Sequence, residues 1–219
     1  MNTNMSSRLI VITILVSAIV SSFAQSKTIN GHEYVELGLS VKWATCNVGA
    51  YSPEKSGTYY AWGETSPKYD YSWRNYFDSV DSEGERFYEY FTSTFNRQGK
   101  NRIDPNSGRD AARKEWGATW RLPTKEEMEE LRTRCKWTWG NINGQNGFWV
   151  QGPNGNQIFL PATGCIEGTE KHIYNRHGLY QTSTLYFQQY EYALYFISES
   201  ISIGNMSRCA GVPIRPVTY

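Results

Sequence analysis

Hydrophobic and polar residues alternate in short stretches near both ends of the chain, and this pattern predicts β-strands. Leu39, Val41 and Trp43 alternate with polar neighbours, so residues 32–48 are expected to form two short strands. Further strands are predicted at residues 58–62, 120–122, 148–151, 157–160, 179–185, 192–197 and 212–217.

Two helices are predicted in the middle of the chain. The main helix covers residues 125–136, because Thr124 can cap it and Glu127 completes a Thr-x-x-Glu capping box. Its apolar residues recur at i, i+3 and i+7, which is typical of one buried face. A second helix is predicted at residues 105–115, with Asp104 as its cap and a proline at its first position. Strand-rich ends around two helices predict an α+β fold.

The connections differ in how clearly the sequence defines them. Asn154-Gly155 predicts a hairpin, because both residues tolerate positive φ. Gly204-Asn205 is predicted as a turn between the last two strands. Residues 69–108 mix aromatic and charged residues without a clear period, and we expect a surface insertion held by its aromatic side chains.

The first 24 residues are typical of an export signal. Arg8 precedes an apolar run at residues 9–20, and small residues before and at Ala24 predict cleavage after Ala24. The alternative is a membrane anchor, but the run is shorter than the roughly 20 residues that span a bilayer. We therefore expect a single domain at residues 25–219 with no membrane span, secreted or located in the periplasm or at the cell surface.

Composition limits the classes of partner. Basic and acidic residues nearly balance (22 against 21), so a nucleic acid partner is not expected. Hydrophobic residues make up only 39% of the chain but aromatic residues 15%, so aromatic side chains are expected to replace aliphatic ones in the core. An even number of cysteines in an exported chain predicts disulfides, although spacing leaves all three pairings open and buried thiols are the alternative. The four cysteines are Cys46, Cys135, Cys165 and Cys209.

Several sequence blocks, in order along the chain, resemble one known family. They include Gly-Leu-Ser-Val-Lys-Trp-Ala-Thr-Cys-Asn-Val-Gly in the first block and Trp-Arg-Leu-Pro-Thr in the third. The blocks are residues 31–50, 59–65, 116–124, 152–156 with 158–162, and 214–217. They resemble the Fibrobacter major paralogous domain, which occurs in exported proteins of Bacteroidota and Fibrobacter.

This resemblance implies a C-type-lectin-like fold, with small twisted, mainly antiparallel sheets, two helices, long loops and paired N- and C-terminal strands. It also implies a non-enzymatic binding or adhesion module that recognises a glycan or a protein. The alternatives are a structural or assembly component of the cell envelope and, third, an oxidase of the formylglycine-generating type. Cys165 and Cys209 stand where relatives have other residues, which suggests that they pair with each other and Cys46 with Cys135.

Candidate metal and catalytic groups have simpler explanations. Asp104, Asn106 and Asp110 could hold Ca²⁺, but such residues also cap helices. His172 and His177 match no zinc spacing and are expected to be loop histidines. No nucleophile motif, phosphate loop or C-type-lectin calcium triplet occurs. We therefore expect no catalytic residue, metal or cofactor.

Aromatic residues in or near predicted loops are the remaining functional signal. Aromatic rings stack on sugar faces and are favoured at interfaces, although any one of them could simply fill the core. The candidate ligand-binding residues are Trp73, Trp137, Trp139, Tyr174, Tyr180 and Tyr186.

Overall fold

The computed structural model describes residues 27–77, 101–187 and 189–219 and contains small antiparallel sheets with two α-helices, as the α+β prediction expects. The predicted signal peptide and residues 78–100 of the predicted insertion lie outside the described residues. The helices are α1 (Ala111–Trp116) and α2 (Lys125–Arg134), and one 3₁₀ turn covers Trp73–Asn75. The strands are β1 (Lys27–Ile29), β2 (His32–Glu36), β3 (Lys42–Ala44), β4 (Tyr59–Tyr60), β5 (Lys136–Ile142), β6 (Gln145–Gln151), β7 (Gln157–Pro161), β8 (Cys165–Glu167), β9 (Glu170–His172), β10 (Gly178–Phe187), β11 (Tyr190–Ile197), β12 (Ser200–Ser207), β13 (Val212–Pro213) and β14 (Val217–Thr218).

The two ends of the described chain lie in one sheet, with strand order β1-β2-β3-β14. Val217 pairs with Trp43 in antiparallel register, and Arg121 forms a bridge to Val217 on its other side. The expected pairing of N- and C-terminal strands is therefore confirmed. The predicted strand at 212–217 is split, because β13 pairs with β4 while β14 pairs with β3.

Two three-stranded sheets form the rest of the scaffold, in the orders β5-β6-β7 and β10-β11-β12. The predicted Asn154-Gly155 hairpin joins β6 to β7. Asn143-Gly144 makes a second tight turn between β5 and β6, with φ of 51° and 85°. The turn predicted at Gly204-Asn205 is wrong, since both residues pair with β11 inside β12.

The main core lies where these two sheets meet α2. Phe148 of β6 and Phe196 of β11 meet edge to face at 5.3 Å, and Met128 and Leu131 of α2 are fully buried in the same cluster. A second cluster surrounds α1, where Trp116 and Trp120 meet edge to face at 5.1 Å. Aromatic side chains thus fill much of the interior, as the composition predicts.

The shorter helix starts later than predicted. Asp104 does not cap a helix, because its Oδ1 accepts the amide of Asn106 in a local turn. The cap is Asp110, whose Oδ1 accepts the amide of Arg113 at 2.9 Å. Its Oδ2 accepts the amide of Leu122 at 2.9 Å, so this one carboxylate also fixes the start of α1 against the segment at Leu122 that precedes α2.

The main helix starts where predicted and ends slightly earlier. Thr124 Oγ1 accepts the Glu127 amide at 3.2 Å, and Glu127 Oε2 accepts the Thr124 amide at 2.8 Å, so the capping box is confirmed. Cys135 is extended and leads directly into β5, which ends the helix at Arg134.

Neither expected disulfide is formed, and all four cysteines are free thiols. Cys165 packs with Leu179 and Val212, whereas Cys209 belongs to a different cluster around Tyr71 and Tyr76. Among the described residues, no helix combines the length and the apolar character needed to cross a bilayer.

Candidate binding cleft

A shallow cleft of about 350 Å³ lies where three turns of the scaffold converge. Its walls come from the β5–β6 hairpin, the turn at residues 173–177 between β9 and β10, and the turn at residues 198–199 between β11 and β12. The lining residues are Trp139, Asn146, Asn175, Arg176, His177, Ile197, Ser198 and Glu199.

Trp139 provides the large apolar surface of the cleft. It lies on β5 opposite Phe148, and its ring meets the Phe148 ring at 4.9 Å and the Phe196 ring at 6.3 Å. Its inner edge therefore rests on the main core, while the side chain as a whole is only half-buried. A ring held by core contacts and open on one side can support a ligand without having to be ordered on binding.

Asn175 fixes the turn at residues 173–177 against the β5–β6 hairpin. Its Oδ1 accepts the amide of Asn146 at 2.6 Å and Nε2 of Gln145 at 3.1 Å. Its Nδ2 donates to the carbonyl of Gly144 at 3.2 Å, and its own amide donates to the carbonyl of Ala162. Asn175 itself adopts φ of 61°, a left-handed conformation that asparagine tolerates better than most residues. This wall of the cleft is therefore held in place by side-chain hydrogen bonds.

Two opposite charges and an imidazole lie on the rim. The Arg176 side chain is exposed, and within the described part of the chain it forms no ion pair. Glu199 accepts a hydrogen bond from the hydroxyl of Ser198. The Nδ1 atom of His177 bonds the hydroxyl of Tyr195, which orients the imidazole ring. The cleft thus offers an apolar ring in Trp139, a positively charged donor in Arg176 and a negatively charged acceptor in Glu199.

Tyr174, another predicted residue, lies in the turn beside this cleft. It is 46% exposed, and its ring packs against the ammonium group of Lys171, whose Nζ is 3.9 Å from the ring centre. Tyr59 packs on Lys171 as well, at 4.8 Å. Burial lowers the pKa of Lys171. Tyr174 therefore contacts Lys171 and does not line the cleft.

Tyr180 is not a surface residue, so its assignment as a ligand-binding residue is wrong. It is completely buried in the main core, and its hydroxyl donates to the carbonyl of Pro161 at 2.8 Å. Burial raises its pKa. Residues 178–183 of β10 are all buried, so both faces of the strand are covered there, and the sequence alone does not show that this largely polar segment lies inside the molecule.

The other predicted aromatic residues lie elsewhere. Trp137 packs with Trp139 on the core side of β5, and its Nε1 donates to the carbonyl of Leu131 at 3.3 Å. Trp73 is half-buried in the 3₁₀ turn and meets Tyr76 at 5.3 Å. Tyr186 is exposed on the β10–β11 hairpin and meets Tyr192 at 5.0 Å. The six residues therefore do not form one patch, and only Trp139 lines the cleft.

A larger cavity of about 450 Å³ adjoins the start of α2, and part of its polar lining is engaged within the protein. Arg121 forms a bidentate pair with Glu127, and its guanidinium lies 4.7 Å from the ring centre of Tyr219. Asp104 is engaged by the amide of Asn106. Its lining aromatic residue is Tyr219, so it lacks the tryptophan ring that lines the cleft.

A buried acid, Glu191, lies on β11. It is completely buried, and among the described residues neither carboxylate oxygen has a partner within hydrogen-bond distance. Burial raises its pKa well above the usual range, while the nearby backbone of Thr182 and the charge of Arg208 act in the opposite direction. Arg208 is itself buried and lies 5.6 Å from the ring centre of Trp62.

Metal ligands do not converge anywhere in the described ranges, where no three His, Cys, Asp or Glu side chains form a possible site. His172 is exposed on β9, and His177 bonds Tyr195. Asp110 is engaged by two backbone amides as a helix cap.

Comparison with known proteins identifies no relative: no family model matches the chain, and neither a curated protein nor a solved structure matches it. The resemblance to the Fibrobacter major paralogous domain stays a prediction.

Proposed function

We propose that this protein is an exported, non-enzymatic binding module that takes a carbohydrate in the cleft at Trp139. One observation carries the proposal: a half-buried indole that rests on the core is surrounded by amide, guanidinium, imidazole and carboxylate groups in the same cleft. Carbohydrates have flat C–H faces, which stack on aromatic rings, and hydroxyls, which both donate and accept hydrogen bonds.

The rigidity of the cleft supports this function. Binding costs less when the side chains that contact the ligand are already ordered. Trp139 is fixed by Phe148 and Phe196, and the opposite wall is fixed by the hydrogen bonds of Asn175. A preformed shallow cleft suits one or two sugar rings rather than a large apolar ligand.

A C-type-lectin-like fold is part of the same proposal. Support comes from the pairing of the terminal strands β3 and β14, the two helices and the turns that build the cleft between separate sheets. Export is supported by the predicted signal sequence that precedes Lys27. A binding module outside the cytoplasm would meet glycans in solution or on cell surfaces.

The test is a glycan array that compares wild-type protein with Trp139→Ala and Ser198→Leu. Trp139→Ala removes the stacking ring, and Ser198→Leu places a branched side chain on the exposed rim of the cleft without disturbing the core. We expect both to lose at least tenfold in affinity for the glycan that wild-type protein binds. Tyr186→Ala is the matched control, because it removes an aromatic ring that lies outside the cleft.

Thermal unfolding of each variant separates loss of binding from loss of folding. If Ser198→Leu and folded Trp139→Ala both bind like wild-type protein, or if wild-type protein binds no glycan, the proposal is wrong.

A second candidate function is a protein contact in an envelope assembly, favoured by one observation. Tyr186, Phe187 and Tyr190 are all exposed near the end of the β10–β11 hairpin, and Phe187 is 61% exposed. Exposed aromatic clusters mark protein interfaces. Cross-linking in intact cells tests it: Phe187→Ser should abolish a cross-linked envelope complex, whereas Trp139→Ala should leave it unchanged.

A further inference from the structure

We infer that the cleft recognises a sugar with a single carboxylate, a uronic acid residue, through the guanidinium of Arg176. This inference rests on the proposed carbohydrate-binding function and adds the class of sugar. The relevant groups are Arg176, Glu199 and Trp139, which line the same cleft from three different elements.

Arg176 is available to a ligand in a way that several other arginines are not. Three arginines near α2 are neutralised by glutamates: Arg121 by Glu127, Arg132 by Glu129 and Arg134 by Glu130. No such pair involves Arg176 within the described part of the chain, although Glu199 lines the same cleft. An exposed guanidinium presents a planar fork of donors that matches a carboxylate in a bidentate pair.

The backbone that carries Arg176 is fixed on both sides. Its own amide donates to the carbonyl of Ile173 at 3.2 Å, and the amide of His177 donates to the same carbonyl at 3.1 Å. Asn175, just before it, is bonded to the β5–β6 hairpin. Only the side chain of Arg176 has to be ordered on binding, which limits the entropic cost to that of one long side chain.

Glu199 limits how much negative charge the ligand can carry. Its carboxylate lies on the rim in the β11–β12 turn, so a densely sulfated chain would place further anions near it. A carboxylate is also a strong acceptor for sugar hydroxyls. A ring with one carboxylate and several free hydroxyls satisfies Arg176 and Glu199 together, and its C–H face can stack on Trp139.

The experiment uses tetrasaccharides of galacturonic, glucuronic and mannuronic acid, each as the free acid and as the methyl ester. The ester keeps the size and hydroxyls of the sugar but removes its charge. Calorimetry should show that wild-type protein binds at least one free acid tenfold or more tighter than its ester. Arg176→Gln should remove this preference. Arg176→Lys should keep part of it, because the ammonium group retains the positive charge but lacks the planar fork of donors.

Arg74→Gln is the matched control, because Arg74 is an exposed arginine on the 3₁₀ turn and does not line the cleft. Equal affinity for acid and ester, with both abolished by Trp139→Ala, would overturn the acid preference and leave the carbohydrate site intact. Binding of neutral glycans alone would do the same. If no glycan of any charge binds, the proposed function fails as well.

Discussion

The guanidinium of Arg215 donates from Nε to Oδ1 of Asn47 at 2.8 Å, although the two residues are 168 positions apart. Both side chains are completely buried. The same guanidinium also donates to the carbonyls of Ala44 and Thr45 and, through Nη2, to the carbonyl of Phe159 at 2.9 Å. One side chain near the C-terminus thereby ties the sheet formed by the two chain ends to the β5-β6-β7 sheet.

Arg215→Met should lower the free energy of unfolding by at least about 3 kcal/mol, because it leaves several buried acceptors without donors. Denaturant unfolding measures this loss. The matched control is Arg134→Met, which removes the exposed pair with Glu130 and should cost less than about 1 kcal/mol. Similar losses for the two variants would show that Arg215 does not hold the sheets together.

Asp110 should make stability depend on pH between about 4 and 6. Burial raises its pKa from the model-compound 3.8 to about 6, although two backbone amides and Arg113 favour the carboxylate. Folded protein then holds a proton in this window that unfolded protein releases, so the free energy of unfolding falls as pH rises through it. The full effect of this difference in pKa is roughly 3 kcal/mol.

Asp110→Asn removes the titration. Asparagine can still cap α1 through its carbonyl oxygen, but its NH2 group cannot accept the Leu122 amide, so the variant is less stable at every pH and only the pH dependence is compared. Urea unfolding at pH 4.5 and pH 7 should show wild-type protein losing stability relative to the variant at the higher pH. Subtracting the variant also removes the contribution of Glu191, whose pKa is raised too. Parallel pH profiles would contradict the assignment.

Gly178→Ala should destabilise the protein by about 2 kcal/mol or more, because the added methyl group would overpack the core. A Cβ atom added at Gly178 would lie 1.9 Å from Cζ of Phe196, a ring at the centre of the main core. Gly204→Ala on β12 of the same sheet is the control, since a Cβ there has no neighbour within 4 Å. The control should change stability by about 0.5 kcal/mol or less. Thermal and denaturant unfolding of both variants will show whether they differ as expected.

Local signals in the sequence predict the elements they control directly. The capping box of Thr124 and Glu127 places the start of α2, and Asn154-Gly155 places one hairpin. Asn143-Gly144 is the same kind of signal and could have predicted the hairpin that forms one wall of the cleft.

Register and long-range contacts are much harder to obtain from the sequence. Tyr180 follows Leu179 and precedes four polar residues, and only the packing of other elements on both faces of β10 shows that it belongs to the core. Asp104 and Asp110 are both plausible caps, and the contact between Asp110 and Leu122 distinguishes them. The cleft itself depends on three turns that are far apart in sequence, so aromatic residues alone could identify Trp139 but not its polar neighbours.

All four cysteines should remain thiols in the purified protein. Cys165 and Cys209 are buried in different clusters, and burial raises the pKa of Cys135 and of Cys165 to about 11 each. Iodoacetamide attacks the thiolate, so alkylation of Cys135 and Cys165 in folded protein at pH 8 should be slow. Unfolding without a reductant should then allow four carbamidomethyl groups to be added, as counted by mass spectrometry. Two groups or none, or a Cys165–Cys209 crosslinked peptide, would restore the expected disulfides.

Asn175→Gly should weaken glycan binding by about tenfold. Asn175 lines the cleft, but its side-chain amide is already engaged by the β5–β6 hairpin, so we attribute the loss to the turn and not to a direct contact with the sugar. Glycine accepts the φ of 61° as readily as asparagine does, so the substitution removes only the side-chain bonds to Gln145, Asn146 and Gly144. The turn that carries Arg176 should then detach from the β5–β6 hairpin more often, and each binding event has to restore it. Hydrogen exchange should speed up at the amides of Arg176 and His177.

Asn106→Gly is the control for this change, because Asn106 is an exposed turn asparagine whose side chain forms no hydrogen bond within the described residues. It should leave both the exchange rates in the 173–177 turn and the glycan affinity unchanged. Faster exchange at Arg176 with unchanged affinity would mean that the ligand does not need an ordered turn. It would also place the site of binding away from Arg176, since a guanidinium on a loose turn can hold a carboxylate only by paying the ordering entropy again.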